Sequence, residues 1–529
     1  MYRVVEKIDN TIDLYKGNTL VRSFFSTIDL DLSIALLKEF NNTVDSNGNK
    51  LFSKWKYKEY YLYPAVQEWL YWDFFVGIVA CQDVRKEISN NEYIVSNPNY
   101  YVTGRMKRIN RILYEGHPYI LKIIYNLLAG FFRIRFLQKE CIFLNDDGFD
   151  SIRYRSFKNV LNSKTLFHRV ERISLGALKR FFGDRSTFVL GKFSLFNFRK
   201  KINHEEYKIS KFLNNYMSKS EFIALINSVD KRCNDMIVEA KSYEKALNFK
   251  AIKSYISYDQ VETSLPLLLV LKSNNIETYG YQHGPLTRFH SGWIGYGIPS
   301  KYCNAVPDYL IVWGEYWKDL IVMYSNKYTY ENIIVGAHLN KVIDYKFPDW
   351  DFELLDLTGK KNSKLNILVP YEFLANNIEI SKYLELFIDF GWKVTIKFRP
   401  IEIGNANVDV LSYSDRVQRN AIFVYDIDDK DLGVFDVVVC TQSVFAVEMM
   451  RFNTSIWYLE TSVHFLDCLV KDDIAHCLSI STAIEIYTNP IILSEFLKPK
   501  YTLKDYTNVF SNKTIECQID ELIGIRSDM

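Results

Sequence analysis

The chain has 529 residues, a net charge of +2, 48% hydrophobic and 24% charged residues, an ordinary globular balance too long for one core. Nothing repeats, no Pro- or Gly-rich linker divides it, and no uncharged apolar stretch is long enough for a membrane span; the closest, 123–132, contains Asn126. Eight scattered cysteines without a Cys-x-x-Cys pair exclude a disulfide frame or zinc ribbon, and the N-terminus lacks a signal peptide's apolar region, so the expectation is a cytoplasmic protein.

Residues 1–100 are mixed: Trp55, Tyr57, Tyr60, Tyr61 and Tyr63 precede an apolar run over 69–80. Residues 101–201 carry 21 Lys and Arg against 7 Asp and Glu, an excess of 14 that the remaining chain offsets. Such a segment suggests a polyanion: anionic lipid, an acidic glycan or nucleic acid; a solvated basic face is the alternative. Within it, 119–139 reads as helix, and Arg105, Lys107, Arg108 and Arg111 precede an apolar helical candidate at 120–136. Basic residues beside an apolar helical face favour lying on an anionic bilayer; a buried core helix is the opposing reading. Over 204–249 the pattern is a polar amphipathic helix, with Phe222, Leu225, Ile226, Met236, Ile237 and Ala240 near helical spacing.

From about 250 short apolar runs alternate with helical stretches, the pattern of a parallel sheet. Strands are expected at 251–257, 277–281, 309–313 and 333–335, with helices at 261–273 and 315–324. A second series follows Pro348: strands at 365–369, 393–398, 422–425, 435–440 and 455–459, with helices at 378–390 and 444–451. The polar stretch 340–364 separates the two. The expected architecture is α/β, two Rossmann-like domains facing a central cleft with a mostly helical N-terminal extension. Residues 1–345 form the first domain, with a Rossmann-like core at about 250–340 and a basic, helical segment at 101–249; residues 346–529 form the second.

The order of short motifs along 250–465 resembles bacterial capsule and lipopolysaccharide glycosyltransferases of the GT-B fold. Asn275-Ile276-Glu277-Thr278-Tyr279-Gly280-Tyr281-Gln282-His283-Gly284 is similar to their strand followed by Gln-His-Gly, and Pro307–Tyr316 to the element after it. Ile333-Ile334-Val335-Gly336 resembles the strand and glycine entering their second domain. Val394–Pro400 resembles the strand ending in His-Pro of the sialyl- and Kdo-transferase group, and Thr441–Glu448 their Ser-Ser loop and helix. Arg399 stands where that group has His, and Gln442 where it has the first Ser. The first 200 residues match nothing in the group.

The resemblance implies a metal-independent glycosyltransferase acting on a nucleotide-sugar donor, with no cofactor, and a glycan or lipid-linked glycan acceptor. A CMP-linked acidic sugar such as Kdo or sialic acid is the expected donor. An anionic membrane surface on the inner face of the cell membrane is an expected partner; nucleic acid is not. A polyol-phosphate transferase of the CDP-glycerol type and a non-catalytic polysaccharide assembly partner are the alternatives. Glycosyl transfer requires stabilisation of a departing phosphate and removal of a proton from an acceptor hydroxyl. A strand, polar turn and helix over 440–448 suit the phosphate, through backbone N–H groups at the helix start and the side chains of Thr441, Gln442 and Ser443. By resemblance Glu448 binds the donor's ribose hydroxyls. Lys397 and Arg399 end a strand, where ligands of such sheets bind, and a guanidinium pairs with phosphate or carboxylate. His283 is the expected acid or base, flanked by Gln282 and Gly284, with Asp259 and Glu262 as alternatives and Arg288 and His290 further along the loop. No Gly-x-Gly-x-x-Gly, P-loop or Gly-x-Ser-x-Gly occurs. Asp-x-Asp pairs at Asp29/Asp31, Asp349/Asp351 and Asp426/Asp428 fit chance in an Asp-rich chain better than a metal site.

Overall fold

The computed structural model describes most of residues 2–88 and 207–522, with 93–96, 106, 109, 141–145, 160–161, 167–172 and 187–190 between them. Within those limits 8–10, 27, 248, 258–264, 283, 339–363, 372–376, 399–409 and 426 are not described. The chain divides into two compact units, each assembled from separated stretches. One comprises Met1–Leu30, Val76–Arg108 and Asp344–Asn508; the other comprises Asp31–Phe75, Ile109–Ile343 and Val509–Met529. This differs from a single cut at 345/346 at both ends of the chain.

The first unit holds two sheets. Strands β1 (Tyr2–Glu6), β2 (Thr11–Lys16), β3 (Thr19–Phe25) and β4 (Tyr93–Ser96) form a mixed sheet in the order β3-β2-β1-β4. The strands of the second unit come next along the chain: β5 (Cys141–Asn145), β6 (Phe167–Arg172), β7 (Thr187–Leu190), β8 (Ile252–Ser257), β9 (Glu277–Tyr281), β10 (Tyr309–Val312) and β11 (Ile333–Val335). All neighbours are parallel and the order is β11-β10-β9-β8-β5-β6-β7. The remaining strands, β12 (Asn366–Pro370), β13 (Lys393–Lys397), β14 (Ile422–Val424), β15 (Val437–Cys440), β16 (Ser455–Leu459) and β17 (His476–Leu478), return to the first unit. They form a parallel sheet in the order β14-β13-β12-β15-β16-β17.

Counted from its own first strand, each parallel sheet runs 3-2-1-4-5-6, with a seventh strand ending the longer one. Both are therefore doubly wound, and strand order reverses between β5 and β8 in one and between β12 and β15 in the other. The α/β class and two Rossmann-like sheets hold as expected. Helix does fill much of the N-terminal part, in α1 (Leu30–Asn41), across 63–88, and in α2 (Lys219–Ala246). The extent of the first Rossmann-like core is corrected, because it begins at Cys141 rather than near 250. Three of its seven strands come from the segment expected to be basic and helical. Those strands are runs of four to six residues set among charged stretches, and the longer helical period around them dominates a sequence reading. The helical candidates at 119–139 and 120–136 lie outside the described residues, as do Arg105, Lys107, Arg108 and Arg111.

Local signals explain the elements that frame these sheets. The helix α2 opens with a reciprocal cap: Glu221 N–H donates to Ser218 Oγ at 3.3 Å and Ser218 N–H to Glu221 Oε2 at 2.8 Å. Its stripe Phe222, Leu225, Ile226, Met236 and Ala240 is buried, with Ile237 half-buried. Further helices are α3 (Leu265–Lys272), α4 (Glu315–Tyr324), α5 (Asn377–Asp389), α6 (Asp415–Asn420), α7 (Phe445–Glu448) and α8 (Ile515–Leu522). The last of these packs Ile515, Ile519 and Leu522 against Ile256, Tyr281, Ile311 and Ala337 of the seven-stranded sheet. That burial removes apolar surface from water and returns the C-terminal segment to the second unit. Gly336 follows β11 where that helix presses closest. A Cβ there would stand 2.3 Å from Gln518 Oε1 and 2.4 Å from Ile311 Cγ2. Among the described residues no helix is long and apolar enough to cross a membrane.

Candidate functional site

In an open parallel sheet, ligands gather at the carboxyl ends of the strands around the point where strand order reverses. In the six-stranded sheet that point lies between β12 and β15. Cys440 ends β15, and Thr441, Gln442 and Ser443 form the turn into α7, 0%, 5% and 9% exposed. Lys397 ends β13, whose other neighbour is β12. Its ammonium nitrogen sits 4.8 Å from the centroid of the Phe445 ring, in the first residue of α7. The structure thus brings Lys397 to the helix start that follows the turn of Thr441, Gln442 and Ser443. Glu448 follows one turn on, half-buried.

The backbone of this turn is not the open set of donors that the sequence suggests. Phe445 N–H donates to Ser443 Oγ at 3.3 Å and Ala446 N–H to the Ser443 carbonyl at 3.2 Å. Val447 and Glu448 N–H both donate to the Val444 carbonyl, at 2.9 and 3.1 Å. The helix is a four-residue turn continued by a 3-10 turn at Met449–Phe452, and the N–H groups of residues 445–448 all bond back onto Ser443 or Val444.

A bridge crosses from β12 to β16 over the end of β15. Glu379, in the first turn of α5, accepts from Ser462 N–H at 2.8 Å and Ser462 Oγ at 2.9 Å. Tyr383 donates its hydroxyl to the Glu460 carbonyl at 2.7 Å, and burial first, then the Glu460 carboxylate, pushes its pKa up to about 12. The same loop carries His464, half-buried, and its Leu466 N–H closes on the Thr441 carbonyl at 3.1 Å. Glu379, Ser462 and His464 were not singled out from the sequence. Thr461-Ser462 after the apolar run of β16 repeats the strand-then-hydroxyl signature of Thr441–Ser443 and could have flagged the loop.

The carboxyl edge of the seven-stranded sheet is built differently. Gln282 follows β9 with no exposed surface and spends its amide inside the fold: Oε1 accepts from Trp313 N–H at 2.9 Å, and Nε2 donates to the Gly284 carbonyl at 2.9 Å. Gly284 is buried, yet nothing lies within 4 Å of where its Cβ would stand. Beyond it the loop is pinned. Arg288 pairs with Asp31 at 2.5 Å, and Asn326 Nδ2 donates to the Gly295 and Ile298 carbonyls at 2.9 and 3.0 Å. Lys327 Nζ donates to the Gly292, Ser291 and Pro64 carbonyls at 2.8, 3.3 and 3.4 Å, and burial draws its pKa below the ordinary lysine value. His290, half-buried, lies on this loop. A further half-buried histidine, His338, follows β11 edge-on to the rings of Trp313 and Phe510, at 4.5 and 5.1 Å. His283, Asp259, Glu262 and Arg399 lie outside the described residues, as do the Asp349/Asp351 pair and Asp426.

No protein-family description and no curated protein matches this sequence. Among solved structures, the chain is similar to a glycosyltransferase from Rickettsia africae, with 12% identity over 73% of this chain and 98% of that one and a TM-score of 0.40. It is similar to Anabaena Alr3699/HepE in complex with UDP, with 9% identity over 73% and 100% of the chains and a TM-score of 0.38. It is also similar to the UDP-GlcNAc 2-epimerase from Neisseria meningitidis bound to UDP-GlcNAc, with 12% identity over 73% and 99% and a TM-score of 0.41.

Proposed function

We propose that this protein is a glycosyltransferase of the GT-B type that moves a sugar from a nucleotide-activated donor to a surface polysaccharide or lipopolysaccharide acceptor. The observation that carries the reading is the reversal point of the six-stranded sheet, where the buried polar turn Thr441–Ser443 leads into the helix start that Lys397 lies against. In this reading the donor phosphate lies against that turn, with Lys397 and Arg399 balancing its charge and Glu448 taking ribose hydroxyls. The acceptor hydroxyl attacks the anomeric carbon as the bond from that carbon to the phosphate oxygen breaks. The nucleotide leaves with the electron pair, and His283, or else Asp259 or Glu262, takes the hydroxyl proton. No metal is assigned a part. The donor expected from the sequence motifs is a CMP-linked acidic sugar.

The test is a thermal-shift screen against CMP, CDP, UDP, GDP and dTDP, with and without EDTA. A ligand of the folded state raises the melting temperature. CMP giving the largest shift, unchanged by EDTA, agrees with the proposal; no shift with any nucleotide ends it. His283→Ala is expected to lower turnover by about 10²–10⁴-fold while leaving nucleotide affinity nearly unchanged. The reading extends to peripheral work on an anionic membrane through the basic segment at 101–201. Salt-sensitive sedimentation with anionic vesicles, lost on charge reversal at Arg105, Lys107, Arg108 and Arg111, is the expected result.

A further inference from the structure

One face of α5 is zipped to the chain at 412–416 by polar residues spaced four apart. Asp389 pairs with Arg416, and Glu385 accepts from the Ser414 hydroxyl. Ser381 Oγ accepts from Ser414 N–H at 3.0 Å and donates to the Asn377 carbonyl at 2.7 Å. At the top, Asn377 Nδ2 donates to Ser412 Oγ at 2.7 Å. Asn377 is 6% exposed, and its Oδ1 is buried without a hydrogen-bond partner. It is the first residue of a 13-residue helix, at the carboxyl side of β12, the strand on which the sheet order reverses.

A buried amide oxygen without a partner costs the fold free energy, and in native proteins such groups are uncommon. The ladder below it makes the vacancy informative. Each lower rung is satisfied, and the Ser412 bond fixes the Asn377 side chain, so the open end is held in place rather than left to rotate. Had the amide been turned the other way, Ser412 would donate to Oδ1 and the NH₂ group would be the open end. In one orientation the missing partner is a hydrogen-bond donor and in the other an acceptor, and a hydroxyl can serve as either.

We infer that Asn377 is a specificity-determining residue that binds a hydroxyl group of the nucleotide sugar. This rests on the glycosyltransferase reading and deepens it. The hydroxyl donates to Oδ1, or accepts from the NH₂ group in the turned amide, and either bond completes the ladder. Ser412, Ser381 and Glu385 are positioning residues that hold the amide at the sheet edge. A site built around a buried polar group rejects an analogue lacking the matching hydroxyl, because the protein group is left unpaired again.

The test is calorimetric titration of the full chain with the nucleotide giving the largest thermal shift, its 2′- and 3′-deoxy forms, and its sugar-linked form with single hydroxyls removed. In the wild-type protein one hydroxyl deletion should lower affinity by about 10–100-fold. Asn377→Leu should lower affinity for the parent ligand to the same degree, and that deletion should cost nothing further in the variant. Equal affinity of wild type and folded Asn377→Leu for every ligand overturns the inference and leaves the glycosyltransferase reading standing. If no hydroxyl deletion weakens binding to the wild-type protein, the inference also fails, whether or not the variant folds. If the wild-type protein binds no nucleotide at all, reading and inference fall together.

Discussion

Two sheets of the same winding order treat a buried amide at their carboxyl edge in opposite ways. In the seven-stranded sheet, Gln282 spends both ends of its side chain on the backbone, holding Trp313 N–H and the Gly284 carbonyl. In the six-stranded sheet, Asn377 spends one end on Ser412 and leaves the other open. One amide is a strut joining the ends of two strands, and the other stands at the reversal point with capacity to spare. Topology alone does not separate the two roles; the hydrogen-bond accounting of each polar atom does.

Removing the strut should have the largest effect. Gln282→Leu keeps the volume near that of glutamine but leaves a buried N–H and a buried carbonyl unpaired. Each such group costs about 1–3 kcal/mol, so a loss of roughly 2–4 kcal/mol is expected. Asn377→Leu removes a single bond and also the unpaired buried oxygen, so it should cost at most about 1 kcal/mol. Denaturant titration of both variants measures the difference through the midpoints at constant slope. Equal midpoints would erase the contrast between the two amides.

A smaller effect sharpens the contrast from the packing side. Gly336→Ala puts a methyl group inside contact distance of two buried side chains, Gln518 and Ile311, on the unit that holds Gln282. Overpacking of this kind costs about 1–3 kcal/mol. A variant as stable as wild type would show that α8 can shift outward at no cost. The corresponding change at Gly284, where the space is open, should be nearly neutral for stability.

Much of this fold is legible in the sequence after residue 250. Short runs such as Ile333-Ile334-Val335 and Val437–Cys440 stand between helical stretches and become parallel strands, the second buried throughout. The strands at 141–145, 167–172 and 187–190 are not legible, because four to six residues within a basic stretch carry too little periodicity. Nor is the return of 515–522 to the other unit, since an amphipathic helix does not announce which sheet it will cover. Of the site, Lys397 and Thr441–Ser443 are legible as strand ends. Glu379, Ser462 and Asn377 are not, because their roles come from contacts between segments 35 to 83 residues apart. The expectation of free N–H groups fails over 445–448, where each N–H bonds back to Ser443 or Val444.

The smallest expected effect lies at the far edge of the six-stranded sheet, away from the reversal point, and reads out that unit alone. His476 in β17 is 7% exposed, lies against the Phe496 ring at 4.6 Å, and bonds the Lys498 carbonyl through Nε2 at 2.8 Å. A carbonyl only accepts, so Nε2 carries the proton of the neutral ring. Burial is the main cause drawing its pKa below 6.5; the Lys498 bond opposes this, and the Lys500 ammonium adds to the lowering while the Asp473 carboxylate resists it. Lys500 and Asp473 are themselves paired at 2.6 Å. Well above pH 6.5 the ring is neutral both folded and unfolded, and its full contribution to stability is present. As pH falls below 6.5 the unfolded chain takes up a proton that the folded chain refuses, so stability drops until the folded ring also protonates. His476→Gln can keep a donor for the Lys498 carbonyl but cannot titrate. Its stability should therefore fall less steeply than the wild type's between pH 6.5 and 5, measured by denaturant midpoints at fixed ionic strength. Parallel slopes for the two proteins would mean that His476 protonates as readily in the folded sheet as in the open chain.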